Sequence, residues 1–429
     1  MNKIFTVSAF ALFCVATSMA QKDSSTSTHF IQTRDSLPIY EVMQGNAPGL
    51  AHIKDVPRFT LVGKDHKFYL GIGANIKAVA DYDFGSPLSD ANRFTTYDIT
   101  GADRGDGARY QMSAAQSNIY FNFVALPGSA NQVGIYIDIN FMRPDHAPMM
   151  HHAYLRYRGF TAGHTVSLFT DLGAEPASID YAGPNSLTYV GHPNVSYTGK
   201  FGKDKMWSAA IGIDMPETSI TPTASTKAIN QRVPDIPVFL QRAWCGGKGW
   251  FRVSAIFRNL YYRDLAADRG KGKNIDKFGW GVKVSGKTPI CGGLSAMWQA
   301  VTGKGVSSYI QDLTGNGFDL MPDPYNPSVL RTVKAWGAYG TLRYDFCPKV
   351  FINATYSQVR TYVHNFGDKA TDKTWGETYK YAQYITGNLF WNINSFAQLG
   401  LEYLYGRRVD FGGTQHHDNR FSLMFQVSI

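Results

Sequence analysis

A transmembrane antiparallel β-barrel of sixteen strands is the fold class this sequence predicts, and three observations predict it. First, segments of strict period-two alternation recur from about residue 66 to the end. In the terminal NRFSLMFQVSI, Phe421, Leu423, Phe425, Val427 and Ile429 alternate with Arg420, Ser422, Met424, Gln426 and Ser428, the mark of a strand with two unlike faces. Second, only 17% of the 429 residues are charged while 14% are aromatic and 42 are Gly, and no stretch beyond the first twenty residues is apolar enough for a spanning helix. That balance suits a barrel with a wet lumen and a greasy outside. Third, the connectors alternate in length. After even-numbered strands they are short (PGSAN, GFTAG, GKFGKD, CGGKG, GKTPICGG, CP, NINS); after odd-numbered ones they are long, only 143–150 being brief. A bacterial barrel has short periplasmic turns and long extracellular loops.

The elements follow in chain order. Lys3, the apolar run from Ile4 to Ala16 and the small residues Ser18-Met19-Ala20 make 1–20 a cleaved secretory signal peptide. Cys14 would suit a lipoprotein, but the bulky Phe13 before it does not. Residues 21–65, rich in Ser and Thr and interrupted by Pro, read as a partly disordered periplasmic extension. The barrel, 66–429, has strands expected at 67–83, 109–125, 133–142, 151–158, 164–170, 194–199, 206–213, 238–244, 250–261, 277–285, 294–302, 332–346, 349–360, 379–391, 396–405 and 418–429. The first sends Leu70, Ile72, Ala74 and Ile76 outward and Asn75, Lys77 and Asp81 inward; the third sends Ile135, Ile137 and Ile139 outward and Tyr136, Asp138 and Asn140 inward. The sixteenth is expected to pair with the first, which removes both sheet edges. A soluble sandwich or propeller is the rival fold, opposed by the lack of a regular repeat.

This register hands the lumen its chemistry. Lys77, Arg156, Arg158, Arg252, Arg258, Lys283 and Arg343 fall on the inner wall, since Arg or Lys facing lipid at the midplane costs about 2–4 kcal/mol. Such cations attract anions, or they pair with carboxylates of an infolded loop and brace the wall. The loop TDLGAEPASIDYAGPNS, with Asp171, Glu175 and Asp180, is expected to narrow the lumen opposite them.

Other functions find little support. There is no G-x-S-x-G and no His-x-Ser on a strand for nucleophilic catalysis. GIGANI lies in a strand with no helix following, so it is not a dinucleotide fingerprint. A pI near 9.1 without nucleic-acid-binding motifs gives no case for nucleic acid. His151-His152 and His416-His417 are adjacent, and alternation would send their rings to opposite faces, so no metal or cofactor is expected. Cys245, Cys291 and Cys347 fall in consecutive periplasmic turns, as small turn residues or with two of them bridged.

The stretches FTLVGKDHKFYLGIGANIKAVADYDF, DLGAEPASIDYAGPNS, GKGVSSYIQDL, GLEYLYGRR and NRFSLMFQVSI, spread over residues 58–429, resemble the DcaP-like porins of Gram-negative outer membranes. The resemblance implies a homotrimer of sixteen-stranded barrels in outer-membrane lipid, passing small anions, dicarboxylates among them, through an arginine-rich constriction. Residues 21–60 lack the heptads of the family's N-terminal coiled coil, and Lys304 stands where the family tends to have an acid. The expected function is therefore an anion-preferring porin without enzymatic activity. The alternative is a plugged structural or adhesive barrel that binds an extracellular or cell-wall partner.

Overall fold

The computed structural model describes residues 39–49, 57, 59–63, 65–101, 107–363 and 373–429. The expected signal peptide and most of the extension before residue 59 lie outside them.

Sixteen antiparallel strands close into one barrel. They are β1 (Phe68–Phe84), β2 (Ala108–Ser113 and Asn118–Ala125, interrupted at 114–117), β3 (Val133–Asn140) and β4 (Met149–Tyr157). Then come β5 (Phe160–Val166), β6 (Gly191–Phe201), β7 (Trp207–Asp214) and β8 (Ile236–Trp244). β9 (Gly249–Asp264), β10 (Lys273–Cys291), β11 (Leu294–Lys304) and β12 (Lys334–Cys347) follow. β13 (Val350–Tyr362), β14 (Tyr379–Asn392), β15 (Ala397–Asp410) and β16 (Gln415–Ser428) complete the circuit. Each pairs with its neighbours in sequence, and β16 pairs with β1 from Asn75↔Ser428 to Phe84↔Asn419. Phe59–Val62 then lies beside the lower part of β1, from Val62↔Tyr69 to Phe59↔Ile72. It continues the row where Ile429, bonded to Ala74, ends it, so the seam has no bare edge. The register pair Asp83 and Arg420 staples this seam through hydrogen bonds of 2.5 and 2.9 Å.

Alternation builds this wall directly. In β1 the residues from Tyr69 to Asp83 that face inward are buried, while Ile76 and Tyr82 stay exposed outside. Outward apolar side chains cost nothing against lipid. At the short-turn end, periplasmic in a bacterial barrel, aromatic pairs ring the outside: Phe68–Phe123, Phe160–Tyr197, Phe201–Trp207, Phe251–Trp298 and Tyr344–Phe346, with centroids 4.9–6.1 Å apart. Rings of this kind suit the membrane–water boundary.

Three expectations need correction. The connectors expected to be long at 262–276 and 406–417 shrink to 265–272 and 411–414, because β9, β10, β15 and β16 run on as tall hairpins. Arg158 is not on the inner wall. It sits in the two-residue turn between β4 and β5 with φ +47°, exposed, and hydrogen-bonds Ala130 and Asn131 of the neighbouring turn. The hairpin is so tight that alternation ends one residue earlier. Finally, Ile39–Asn46 of the expected extension forms a helix, α1, inside the barrel. Val42 and Met43 pack on Tyr69 and Val124, and Ala47 packs on the ladder Tyr120, Tyr136 and Tyr154. Cys245 and Cys291 are exposed, and among the described residues no disulfide joins them to each other or to Cys347.

Candidate functional site

The loop between β5 and β6, residues 167–190, does not project outward. It bends into the lumen and follows the inner wall for half the circumference. Asp171 accepts hydrogen bonds from Trp250 of β9 at 3.2 Å and Ser285 of β10 at 2.6 Å, and lies 3.4 Å from Arg252. The Ala174 carbonyl accepts from Tyr339 of β12, and the Ala177 carbonyl from Asn353 of β13 and Asn388 of β14. Ser178 Oγ and the backbone N–H groups of Ile179 and Asp180 donate to Glu402 of β15 at 2.7–3.0 Å. The Ile179 carbonyl then takes a hydrogen bond from Lys77 on β1. Backbone donors and acceptors displaced from water need partners, and the strands supply them one after another. Gly337 of β12 permits part of this approach: a Cβ there would come within 2.7 Å of Ser186.

Two further loops, 215–235 and 305–333, complete the packing. Arg258 of β9 is fully buried between Asp235 at 2.9 Å and Asp319 at 3.1 Å, and it also bonds the carbonyls of Gly305 and Glu217. Lys283 of β10 is equally buried and bonds the Phe169 carbonyl and Thr188 Oγ1 at 3.0 Å. Around these groups Phe169, Val306, Tyr309, Ile310, Leu313 and Phe318 form an apolar core on the inside of the wall, against Ile256, Val301 and Val359. Asp312, bonded by Tyr379, Thr96 and the Tyr97 N–H, ties the 305–333 loop to residues 96–98.

The sequence-predicted cations therefore divide. Lys77, Arg258 and Lys283 are buried against loop backbone or carboxylates. Arg252, Arg156 and Arg343 keep part of their surface open. Arg252 bonds Gln241 at 2.8 Å and lies over the Phe239 ring. Arg156 reaches the Gly45 carbonyl in the last turn of α1 at 2.8 Å. Arg343 pairs with Asp345 at 2.7 Å and lines a cavity of about 270 Å³ on the periplasmic side, beneath Ala177 of the infolded loop. The loop carboxylates do not confront a basic wall across an opening as expected. They are buried within the wall packing, and of the three only Asp171 meets one of the expected cations in an ion pair. Burial raises Asp171, but Arg252 and Lys283 outweigh it and hold the carboxyl below its ordinary range. Burial pushes Glu175 up to about 8, with Asp180 adding repulsion, and Glu175 Oε2 has no hydrogen-bond partner. Asp180, buried beside Glu402, is raised to about 7.

The sequence reading missed Glu402, Asp235 and Asp319. Each sits at an unremarkable place in the chain, and only the folded loops reveal its partner. The helix α1 left a trace: Ile39, Val42, Met43 and Ala47 recur at helical spacing.

Comparison with known proteins adds the following. Residues 99–403 match the Porin subfamily, well over half of the chain. No curated protein matches the chain. Among solved structures, the outer membrane channel DcaP of Acinetobacter baumannii is similar at a TM-score of 0.70 and 19% identity, over 86% of this chain and 99% of that one. The trimer form of OmpT from Vibrio cholerae aligns at 0.51 and 10% identity, covering 84% and 99%. An anion-selective porin from Comamonas acidovorans aligns at 0.50 and 10% identity, covering 84% and 100%.

Proposed function

The chain belongs to the Porin subfamily, and on that premise we propose that this outer-membrane channel passes small anionic solutes, dicarboxylates among them, by passive diffusion as a homotrimer. One observation carries the anion preference. The carboxylates of the infolded loop are buried in the wall, whereas Arg252, Arg156 and Arg343 are only partly buried. Loop charge is thereby withdrawn from the solute path while cationic charge stays in it, and cationic groups raise the local anion concentration. Arg258 and Lys283 brace the loops instead. Passage needs no covalent step. The trimer form of OmpT and the anion selectivity of the Comamonas porin agree with this reading.

A second reading has its own support. The helix α1 occupies the periplasmic half of the lumen, where Asn46 Nδ2 donates to Asn122 Oδ1 at 2.8 Å and Tyr154 donates to the Asn46 carbonyl at 2.6 Å. A chain whose lumen is stoppered in this way would serve as a binding or structural barrel. Planar-bilayer recording from folded protein separates the two: stable open conductance supports the channel, and its absence supports the plugged barrel.

A further inference from the structure

Behind the infolded loop, on β3 and β4, lies a cluster that passage of solutes does not use. Alternation would place His151 and His152 on opposite faces. A β-bulge prevents this. Asp138 of β3 pairs with His152 and Ile139 pairs with Met150, so His151 is the extra residue. Both imidazoles consequently turn toward the lumen, with ring centroids 4.3 Å apart. The carboxylate of Asp138 joins them, and one ligand atom from each of the three residues lies within 4.8 Å of the others.

We propose that Asp138, His151 and His152 bind a divalent late first-row transition metal, with Zn²⁺ as the representative ion. The surrounding groups already select the ligand atoms. Asn118 Nδ2 donates to Asp138 Oδ1 at 2.7 Å, which leaves Oδ2 to the ion. His151 Nδ1 lies 2.8 Å from that Oδ2, while its Nε2 lies 2.8 Å from the Tyr189 hydroxyl. With the ion in place of the Asp138–His151 hydrogen bond, the imidazole stays neutral and its hydrogen sits on Nε2, donated to Tyr189. His152 Nδ1 is held by Thr165 Oγ1 at 3.1 Å. Its Nε2 is buried with no partner, in a residue only 1% exposed. Such outer contacts fix the tautomer and direction of metal-binding imidazoles. An unpartnered buried nitrogen costs stability, and an ion removes that cost. Two imidazoles and one carboxylate suit tetrahedral zinc at about 2.0–2.2 Å, with the fourth position left to water. His151, 14% exposed at its side chain, opens the path to the lumen. Because Tyr181 and Tyr189 belong to the infolded loop and both reach His151 Nε2, the ion sits against that loop.

The test is calorimetric titration of Zn²⁺ into the full-length, chelator-stripped barrel in detergent, each variant first checked for folding by heat-modifiable gel mobility. One saturable site per chain is expected. His152→Ala, which removes a single hydrogen bond, should weaken binding by at least about tenfold, and Asp138→Asn likewise, while His416→Ala should leave it unchanged. Should either variant fail to fold, His151→Gln supplies the same comparison. No saturable binding, or binding that survives the loss of these side chains, would overturn the site and leave Asp138–His151 as a bracing pair. The measurement does not depend on conductance, so it stands whichever way the channel reading falls.

Discussion

Arg258 and Arg343 face the same way from the same barrel wall, yet the molecule uses them differently. Arg258 lies under the folded loops, locked between Asp235 and Asp319 with no solvent contact. Arg343 lies below them, 22% exposed at its side chain, beside Asp345 and a water-accessible cavity. The difference teaches that alternation assigns a side chain to the lumen but does not decide what it meets there. Where loops fold in, a lumen cation becomes an anchor. Where they do not, it keeps part of its surface open.

The largest effect should separate these two arginines by stability. Arg258→Ala would leave two buried carboxylates without their cation, a loss on the order of 3–5 kcal/mol. Arg343→Ala removes a partly exposed pair and should cost about 1 kcal/mol or less. Urea titration of folding in lipid reads both. Equal losses would erase the distinction between anchor and solute-facing cation.

Next comes the loop anchor on β15. Glu402 gathers hydrogen bonds from Ser178, Ile179, Asp180 and Asn388, and bonds to a charged group contribute about 1.5–3 kcal/mol each. Glu402→Ala should loosen the loop, seen as faster proteolysis within 167–190 and noisier conductance. An unchanged digest would mean that the other wall contacts hold the loop alone.

The loop should also respond to pH. Glu175 and Asp180 rise from ordinary values of 4.5 and 3.8 to about 8 and about 7. The folded loop therefore keeps protons that the unfolded chain has already released. Through these two groups its packing is firmest near pH 4 and weakens as pH climbs toward about 8, while Asp171, held below its ordinary 3.8 by Arg252 and Lys283, loosens it again in stronger acid. Protease sensitivity of the loop should increase over that range, and Glu175→Gln should flatten the upper part of the curve. A rise in sensitivity as pH falls from about 8 to about 4 would contradict the sign.

The smallest effect concerns α1. Asn46→Ala removes its bond to Asn122, at a cost of about 1–2 kcal/mol locally, and should release the helix from the wall. Higher conductance in this variant would show that α1 narrows the path.

Much of the fold was legible because a lipid-facing strand must alternate. All sixteen strands and the closure of β16 on β1 follow from that one requirement. It failed where other forces acted. Ile256, Val301 and Val359 point inward although apolar, because infolded loops made a dry core there. His151 and His152 share a face because of one extra residue. The inward cations were readable, except Arg158 in its turn. Their partners Asp235, Asp319 and Glu402 were not, since these contacts join segments distant in the chain and carry no local pattern.

The central claim is that the uncovered arginines, not the buried cations, set the preference for anions. Reversal potential in a KCl gradient across a planar bilayer tests it most directly, for the wild type, for Arg252→Ala with Arg343→Ala, and for Lys283→Met. The account predicts an anion-preferring wild type, a preference sharply reduced in the double variant, and one nearly retained in Lys283→Met. A cation-preferring wild type, or a double variant that reverses where the wild type does, would contradict it.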